Sequence, residues 1–166
     1  MNKNGKEIER KWFLACMPPI GIYGDCNQVP LHEIEQFYFK TQKSGTELRV
    51  RREGAGFSIT EKSGNGLVRE ETEIAITKEM FLALQPLAIG SARKRRFFIP
   101  HQGRTLLLDQ YLGPLQNLVI LECEFSSKEE SAEFVLPDWA QVPIEVTESP
   151  RFSNKLLALN GFPGAP

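Results

Sequence analysis

The sequence contains few residues that could form disulfides or bind zinc. It has three cysteines, Cys16, Cys26 and Cys123, and no two of them form a C-x-x-C motif. An odd number of cysteines at these spacings predicts neither a disulfide framework nor a zinc site. The two histidines, His32 and His101, stand alone in turn-like surroundings near prolines, so we expect no metal-binding role for either of them.

Long apolar runs and an excess of charge of one sign are also missing. No run of apolar residues is long enough to span a bilayer, and the N-terminus shows no signal-peptide pattern. Lys and Arg number 20 and Asp and Glu number 21, which gives a net charge of −1. We therefore expect a cytoplasmic protein without a membrane or nucleic-acid partner. The sequence does not indicate an oligomeric state.

The composition is that of one globular domain with a sizeable core. Of the 166 residues, 41% are hydrophobic and 25% are charged, and residues 1–166 are predicted to form a single domain. The stretch from Met17 to Pro30 is rich in proline and glycine. We interpret it as a loop within the domain rather than a linker between two domains.

Most of the chain alternates between charged and apolar residues with a period of two, which predicts β-strands with one charged face. In the first strand Glu7, Glu9 and Lys11 share one face. Ile8 and Trp12 share the opposite face. One charged face of this kind is solvated surface by default, so its meaning depends on whether other strands repeat it.

Charged doublets at the same spacing recur along the chain. They are Glu7/Glu9, Arg49/Arg51, Glu71/Glu73, Lys94/Arg96 and Glu122/Glu124. About eight strands are predicted, and a closed antiparallel barrel would turn their charged faces inward. Helices starting near Thr77 and Pro150 would cover the apolar outer faces, which makes the fold α+β and mainly β. Between Ala92 and Pro100 both faces begin charged, so alternation alone does not decide which face points inward.

A lumen of this kind needs partners for its charges. Each unpaired buried ion costs several kcal/mol, so acids and bases inside a barrel must be paired or bound to a ligand. A ligand together with a metal ion would satisfy charges of both signs.

In this order along the chain, the charged motifs resemble those of the CYTH superfamily, the triphosphate tunnel metalloenzymes. The resemblance begins with the E-x-E-x-K motif at Glu7, and Glu145, Arg151 and Asn154 resemble the C-terminal signature of the family. It covers nearly the whole chain and implies a single CYTH domain, an eight-stranded antiparallel tunnel that binds triphosphate with a divalent metal. The short form of the chain, with Gln36 in a Q-x-Y strand, is most similar to bacterial inorganic tripolyphosphatases.

The resemblance also implies a role for each charged residue. Guanidinium and ammonium groups bind phosphate oxygens, and the residues expected to do so are Lys11, Arg49, Arg51, Lys62, Arg69, Lys94 and Arg96. Carboxylates bind Mg²⁺ or Mn²⁺, and the expected ligands are Glu7, Glu9, Glu122 and Glu124. The expected catalytic residues are Lys11 paired with Tyr38, and Glu71, Glu73 and Asp109, which would hold a second metal or a water.

We therefore expect metal-dependent hydrolysis of inorganic tripolyphosphate, or of another triphosphate, to pyrophosphate and phosphate. The alternatives are a class IV adenylate cyclase, a thiamine triphosphatase and a non-catalytic binder of polyphosphate or a triphosphate-bearing molecule. The last is favoured if Leu107, where many family members have an acidic residue, indicates a damaged metal site. A barrel for small apolar ligands is disfavoured because its inward faces would have to be apolar. Phe13, Phe37 and Phe39 could stack on a base at a tunnel mouth, but their spacing fits an outer-face core better.

Overall fold

The computed structural model describes residues 3–19 and 30–166. These residues form nine strands joined mainly by tight turns. The strands are β1 (Lys3–Leu14), β2 (Leu31–Phe39), β3 (Thr46–Glu53), β4 (Gly56–Ser63), β5 (Val68–Ala75), β6 (Gly90–His101), β7 (Arg104–Leu112), β8 (Val119–Phe125) and β9 (Ile144–Glu145). The predicted loop from Met17 to Pro30, with Cys26, lies mostly outside the described residues.

Eight of these strands close into an antiparallel barrel. Their order is β5-β4-β3-β2-β6-β7-β8-β1, and β1 returns to pair with β5, where Lys3 faces Glu73 and Ile8 faces Val68. The two-residue strand β9 adds to β1 beside Trp12 and Phe13. The predicted eight-stranded closed barrel is confirmed.

The alternation of side chains places the charged faces inside. Glu7, Asp109 and Glu122 are buried, and the buried cations among the described residues are Arg49, Lys62, Lys94 and Arg96. In β6 the structure decides what alternation left open, because Lys94 is 2% exposed whereas its neighbour Arg95 lies on the surface.

Apolar clusters cover the barrel and close one of its ends. Trp12, Leu108 and Cys123 belong to the outer-face cluster under residues 134–140. A second cluster joins Phe13 to Phe152 of the C-terminal segment. Phe13 thus lies on the same face of β1 as Lys11, so at this end the interior changes from charged to apolar. Phe37 and Phe39 lie in the predicted outer-face core, in a third cluster built around Phe81.

Three short helices lie outside the barrel, and each begins at a hydroxyl that caps it. They are α1 (Lys78–Leu84), α2 (Lys128–Glu133) and α3 (Asn154–Asn160), capped by the side chains of Thr77, Ser127 and Ser153 respectively. The predicted helix from Pro150 is instead a 3-10 turn, Pro150–Phe152, followed by α3. No helix among the described residues is long and apolar enough to cross a membrane.

Helix α1 buries less than its apolar pattern predicts. Phe81 is 2% exposed, whereas Met80 and Leu87 are 51% and 68% exposed. A helix of seven residues makes about two turns, so Phe81 is its one fully buried side chain, and Leu84 is partly buried against the same cluster. Pro86 then turns the chain into a 3-10 segment, Gln85–Leu87, that carries Leu87 away from the barrel.

Candidate active site

The charged faces enclose a cavity of about 70 Å³ inside the barrel, which we call the lumen. It is lined by Glu7, Glu9, Lys11, Gln36, Arg49, Arg51, Lys62, Glu71, Glu73, Lys94, Arg96, Glu122, Glu124 and Asn154. All of these except Asn154, the first residue of α3, come from the barrel strands. The doublets converge because the members of each doublet point to the same face of their strand.

The first group of ion pairs is built around Glu7. Lys62 Nζ lies 2.7 Å and 2.8 Å from its two carboxylate oxygens, and Arg69 Nη2 lies 3.2 Å from Oε2. Burial alone would raise the pKa of the Glu7 carboxyl, but the positive charges of Lys62 and Arg69 outweigh burial and keep this pKa below its ordinary value. Lys62 also lies 3.5 Å from a carboxylate oxygen of Glu71.

The second group is built around Asp109, which is completely buried. Arg96 binds both of its carboxylate oxygens, each at 2.7 Å, and Lys94 binds one of them as well. Arg96 Nη2 also lies 2.6 Å from Glu122 Oε2. Burial and the neighbouring charge of Arg96 lower the pKa of Lys94 to about 8.

Lys11 connects the two groups. Its ammonium lies 2.9 Å from Glu9 Oε1 and 2.9 Å from Glu122 Oε1. Burial would lower the pKa of Lys11, but the charges of Glu122 and Glu9 raise it above its ordinary value. Lys11 therefore stays protonated, held between two carboxylates.

A third group lies on the opposite wall. Arg51 Nη2 lies 2.8 Å from Glu73 Oε2, which also accepts a hydrogen bond of 2.9 Å from Thr60. Arg49 Nη1 lies 3.8 Å from Glu47 Oε1. The predicted cations of the lumen thus hold carboxylates as partners, which keeps buried charges paired.

Three carboxylates come together in a geometry that suits a cation. One oxygen from each of Glu7, Glu9 and Glu124 lies within 4.8 Å of the other two. Glu9 and Glu124 are direct partners across β1 and β8, and like charges directly opposite each other are destabilising unless a cation bridges them. Oxygen donors of this kind fit the hard divalent ions Mg²⁺ and Mn²⁺. Glu122 is held instead by Lys11 and Arg96.

Two known proteins are similar in sequence to this chain along nearly their whole length. An inorganic triphosphatase from Nitrosomonas europaea is 38% identical over 157 residues, which are 93% of this chain and 97% of that protein. The chain belongs to the inorganic triphosphatase family. A second member, from Acetivibrio thermocellus, is 29% identical over 164 residues, which are 95% of this chain and 96% of that protein.

A solved structure of this triphosphatase family has the same fold. The crystal structure of the inorganic triphosphatase NE1496 superposes with a TM-score of 0.64 at 32% sequence identity, over 92% of this chain and 94% of that chain. No family model matches the sequence. The predicted resemblance to the triphosphate tunnel enzymes is confirmed by these relatives.

Some residues of this triphosphatase that the family resemblance predicts to act together do not contact each other in the structure. The ammonium of Lys11 is bound by Glu9 and Glu122 rather than by Tyr38. Tyr38 lies opposite Arg49 in β3, and its buried hydroxyl has no hydrogen-bond partner among the described residues. Burial raises the pKa of Tyr38 above its ordinary value, so this hydroxyl stays protonated.

Glu71, Glu73 and Asp109 were predicted to share a second metal or a water. In the structure they lie in different ion-pair groups, with Lys62, Arg51 and Arg96 as their respective partners. Within residues 3–19 and 30–166, the metal-like cluster is that of Glu7, Glu9 and Glu124.

Sequence reasoning missed two polar residues of the site: Asn154, which lines the lumen, and Tyr111, which contacts Asn154 and Lys94. The Tyr111 hydroxyl donates a hydrogen bond to Asn154 Oδ1, and Lys94 Nζ lies 5.3 Å from the centre of the Tyr111 ring. A signal was present for Tyr111, because it lies two residues after Asp109 and therefore on the same face of β7.

Leu107 lies close to the carboxylate cluster of this family member. It faces Phe98 across β6 and β7 and, with Arg51, Arg96 and Glu124, lines a surface cavity of about 540 Å³. At this position, where the resemblance described above favours an acid, the cavity that Glu124 lines carries an apolar side chain.

Proposed function

We propose that this protein hydrolyses inorganic triphosphate to pyrophosphate and phosphate inside the lumen, with Mg²⁺ or Mn²⁺. The observation that supports this most directly is the sorting of charge in a buried cavity. Six lysines and arginines line it, and one oxygen from each of three carboxylates lies within 4.8 Å of the other two. A polyanion and a divalent cation together are the ligand that matches both features.

The cations would bind the phosphate oxygens by exchanging partners. Lys11, Arg49, Arg51, Lys62, Arg69, Lys94 and Arg96 line or adjoin the lumen, and the ion pairs that hold them now are internal. Arg96 already makes a bidentate contact with Asp109, a geometry that a phosphate group can replace. These charges would stabilise the negative charge on the transferring phosphoryl group.

Glu7, Glu9 and Glu124 would hold the divalent ion. When bound, the ion neutralises phosphate charge and polarises the reacting phosphoryl group. For Glu122, which was predicted as a fourth ligand, we propose that it positions Lys11 and Arg96. Asp109, Glu71 and Glu73 would position cations in the same way, and a carboxylate released from its cation on substrate binding could accept a proton from the attacking water.

Tyr38 would act as a neutral hydrogen-bond donor. Its raised pKa keeps the hydroxyl protonated, and its place beside Arg49 puts it on the wall that binds phosphate. The single-domain organisation and the cytoplasmic location stay predictions.

The experiment measures phosphate release from tripolyphosphate, ATP and thiamine triphosphate, each with Mg²⁺ or Mn²⁺, alongside an assay for cyclic AMP. We expect tripolyphosphate to be the preferred substrate and no release in the presence of a metal chelator. Cyclic AMP as the main product from ATP would contradict the proposal and select the cyclase reading.

Leu107 favours one other function, in which the protein binds triphosphate with a weakened metal site and does not hydrolyse it. With leucine at this position, the cluster next to it keeps three carboxylates. Tight binding of tripolyphosphate with no phosphate release at any metal concentration would select this second function.

A further inference from the structure

The lumen wall contributed by β2 differs from the others in its chemistry. Among the described residues of the barrel strands that line the lumen, Gln36 is the uncharged one. It is 1% exposed. A neutral amide in a wall of acids and bases needs a reason, because apolar side chains of the same size could fill this space without burying a polar group.

The amide of Gln36 has an unused hydrogen-bond donor. Its Nε2 atom is buried and has no hydrogen-bond partner among the described residues. The cross-strand neighbours explain this, since Gln36 faces Arg51 in β3 and Ala92 in β6. A guanidinium has only donors and an alanine side chain has neither donors nor acceptors, so neither can accept a bond from the amide.

Two carboxylates of the barrel interior already accept hydrogen bonds from cations. Glu73 accepts from Arg51 and Thr60, and Asp109 accepts from Arg96 and Lys94. Because no acceptor among the described residues lies within hydrogen-bond distance of Nε2, a bound molecule would be the source of one. The lumen cations select an anion with several oxygens for that position.

We infer that Gln36 contacts the substrate and that its amide NH₂ donates a hydrogen bond to a non-bridging oxygen of the bound triphosphate. The inference rests on the proposed function, because it requires triphosphate in the lumen. A half-turn of the terminal torsion exchanges the two ends of an amide, so Gln36 can present its NH₂ group to the lumen without a change of backbone.

Gln36 differs from the lumen cations in what it gives up on binding. Most lysines and arginines of the lumen already hold carboxylates, so part of their interaction with a phosphate oxygen is exchanged rather than gained. The Nε2 donor of Gln36 has no partner to leave. Gln36 therefore adds a complete hydrogen bond to an anion, and a hydrogen bond to a charged group is among the stronger ones in proteins.

The test uses Gln36→Met, which keeps the length of the side chain and removes the donor. Km and kcat for tripolyphosphate with Mg²⁺ are measured next to the melting temperature. We expect Km to rise about ten- to a hundredfold and the melting temperature of the ligand-free protein to stay unchanged or rise, because an unpartnered buried amide has been removed. The matched control is Gln110→Met, which makes the same change on the outer face of β7 and should leave Km unchanged.

A second variant covers the case in which methionine does not fit. Gln36→Glu keeps the shape but places a carboxylate against the phosphate, so we expect a larger rise in Km than for methionine. A wild-type Km in both variants, or a lowered melting temperature with an unchanged Km, would overturn the inference and assign Gln36 a structural role. If the wild-type protein itself neither binds nor hydrolyses tripolyphosphate, the proposed function fails, and the inference fails with it.

Discussion

At the scale of single residues, the charged side chains of the lumen hold one another in position through shared ion pairs. Lys11 is shared by Glu9 and Glu122, and Arg96 is shared by Asp109 and Glu122. Removing one partner of a buried ion pair lowers folding stability more than replacing the whole pair by apolar residues, because the remaining charge is left without compensation. A substitution in this lumen is therefore best placed where every remaining charge keeps at least one ion-pair partner.

Glu9 is a good residue to remove. In Glu9→Ala, Lys11 keeps Glu122 and Arg69 keeps Glu7, and the loss of one carboxylate relieves repulsion in the ion-free cluster. We expect metal-dependent phosphate release to fall more than about a hundredfold, with an unchanged circular dichroism spectrum. Glu61→Ala, on the exposed face of β4, is the control. Full activity of Glu9→Ala would remove the cluster from the mechanism.

Lys94 gives the lumen a dependence on pH. Its pKa of about 8 is depressed from 10.5, so as pH rises between these values the folded protein loses a proton that the unfolded chain still holds. Folding stability should therefore rise with pH in this window, whereas affinity for an anion should fall because the amine becomes neutral. We expect Km for tripolyphosphate to increase above about pH 8.

The matched variant for this prediction is Lys94→Arg. A guanidinium keeps its charge through the whole window, while the ionisation of substrate and metal is the same for both proteins. Km of the variant should depend less on pH than Km of the wild type. Identical pH profiles would show that Lys94 does not titrate in this range.

Which residues carry charge into the lumen could be predicted from the sequence, but their partners could not. The spacing of Glu122 and Glu124 places both on one face of β8. Residues two apart lie about 7 Å from each other along a strand, so they reach different levels of the lumen. Glu122 meets Lys11, and Glu124 meets Glu7 and Glu9, and only the register of β1 against β8 decides this.

At the scale of elements, the strands were predictable and the helices were predictable only in part. The period-two pattern extends over whole strands, and the hydroxyl of Thr77 caps a helix at the predicted start. The burial of α1 was not predictable. Its apolar pattern suggests a stripe, but its short length lets one aromatic ring, that of Phe81, reach the barrel.

Phe81 should therefore account for most of the stability that α1 provides. Its ring packs against Phe37 and Phe57, with ring centres 5.7 Å and 5.2 Å away. We expect Phe81→Ala to lower the free energy of unfolding by about 3–5 kcal/mol, measured by denaturant titration. Met80→Ala, on the exposed side of the same helix, should stay within about 0.5 kcal/mol of the wild type. Equal effects of the two would mean that α1 does not pack as described.

At the scale of the whole molecule, the net charge does not reveal how the cations are distributed. A value of −1 suggests no preference for anions, yet the barrel sorts its cations into a buried cavity and leaves other charges on its surface. The closed barrel could be predicted because several strands repeat the charged face, and no single strand was sufficient. The strand order, in which β2 lies next to β6, could not be predicted because alternation does not say which strands are neighbours.

Binding of substrate and metal should stabilise the whole barrel. A ligand that binds only the folded state at about 100 times its Kd adds about 2.7 kcal/mol, which for a domain of this size raises the melting temperature by about 5–11 °C. We expect this rise with tripolyphosphate and Mg²⁺ together. Inorganic phosphate at the same concentration should give a smaller shift, and an equal shift with phosphate would show that the lumen does not recognise the chain of three phosphates.

The closure of the barrel by β1 also sets the order in which the site can form. Strand β1 is synthesised first, but its two neighbours within the barrel are β5 and β8, and β8 is the last barrel strand in the chain. Pairings so distant in sequence form slowly, because a long loop must close before the contacts are made. Glu9 and Glu124 meet only in the pairing of β1 with β8. The carboxylate cluster therefore does not exist until the barrel has closed, so a metal ion that binds it is a marker for the end of folding.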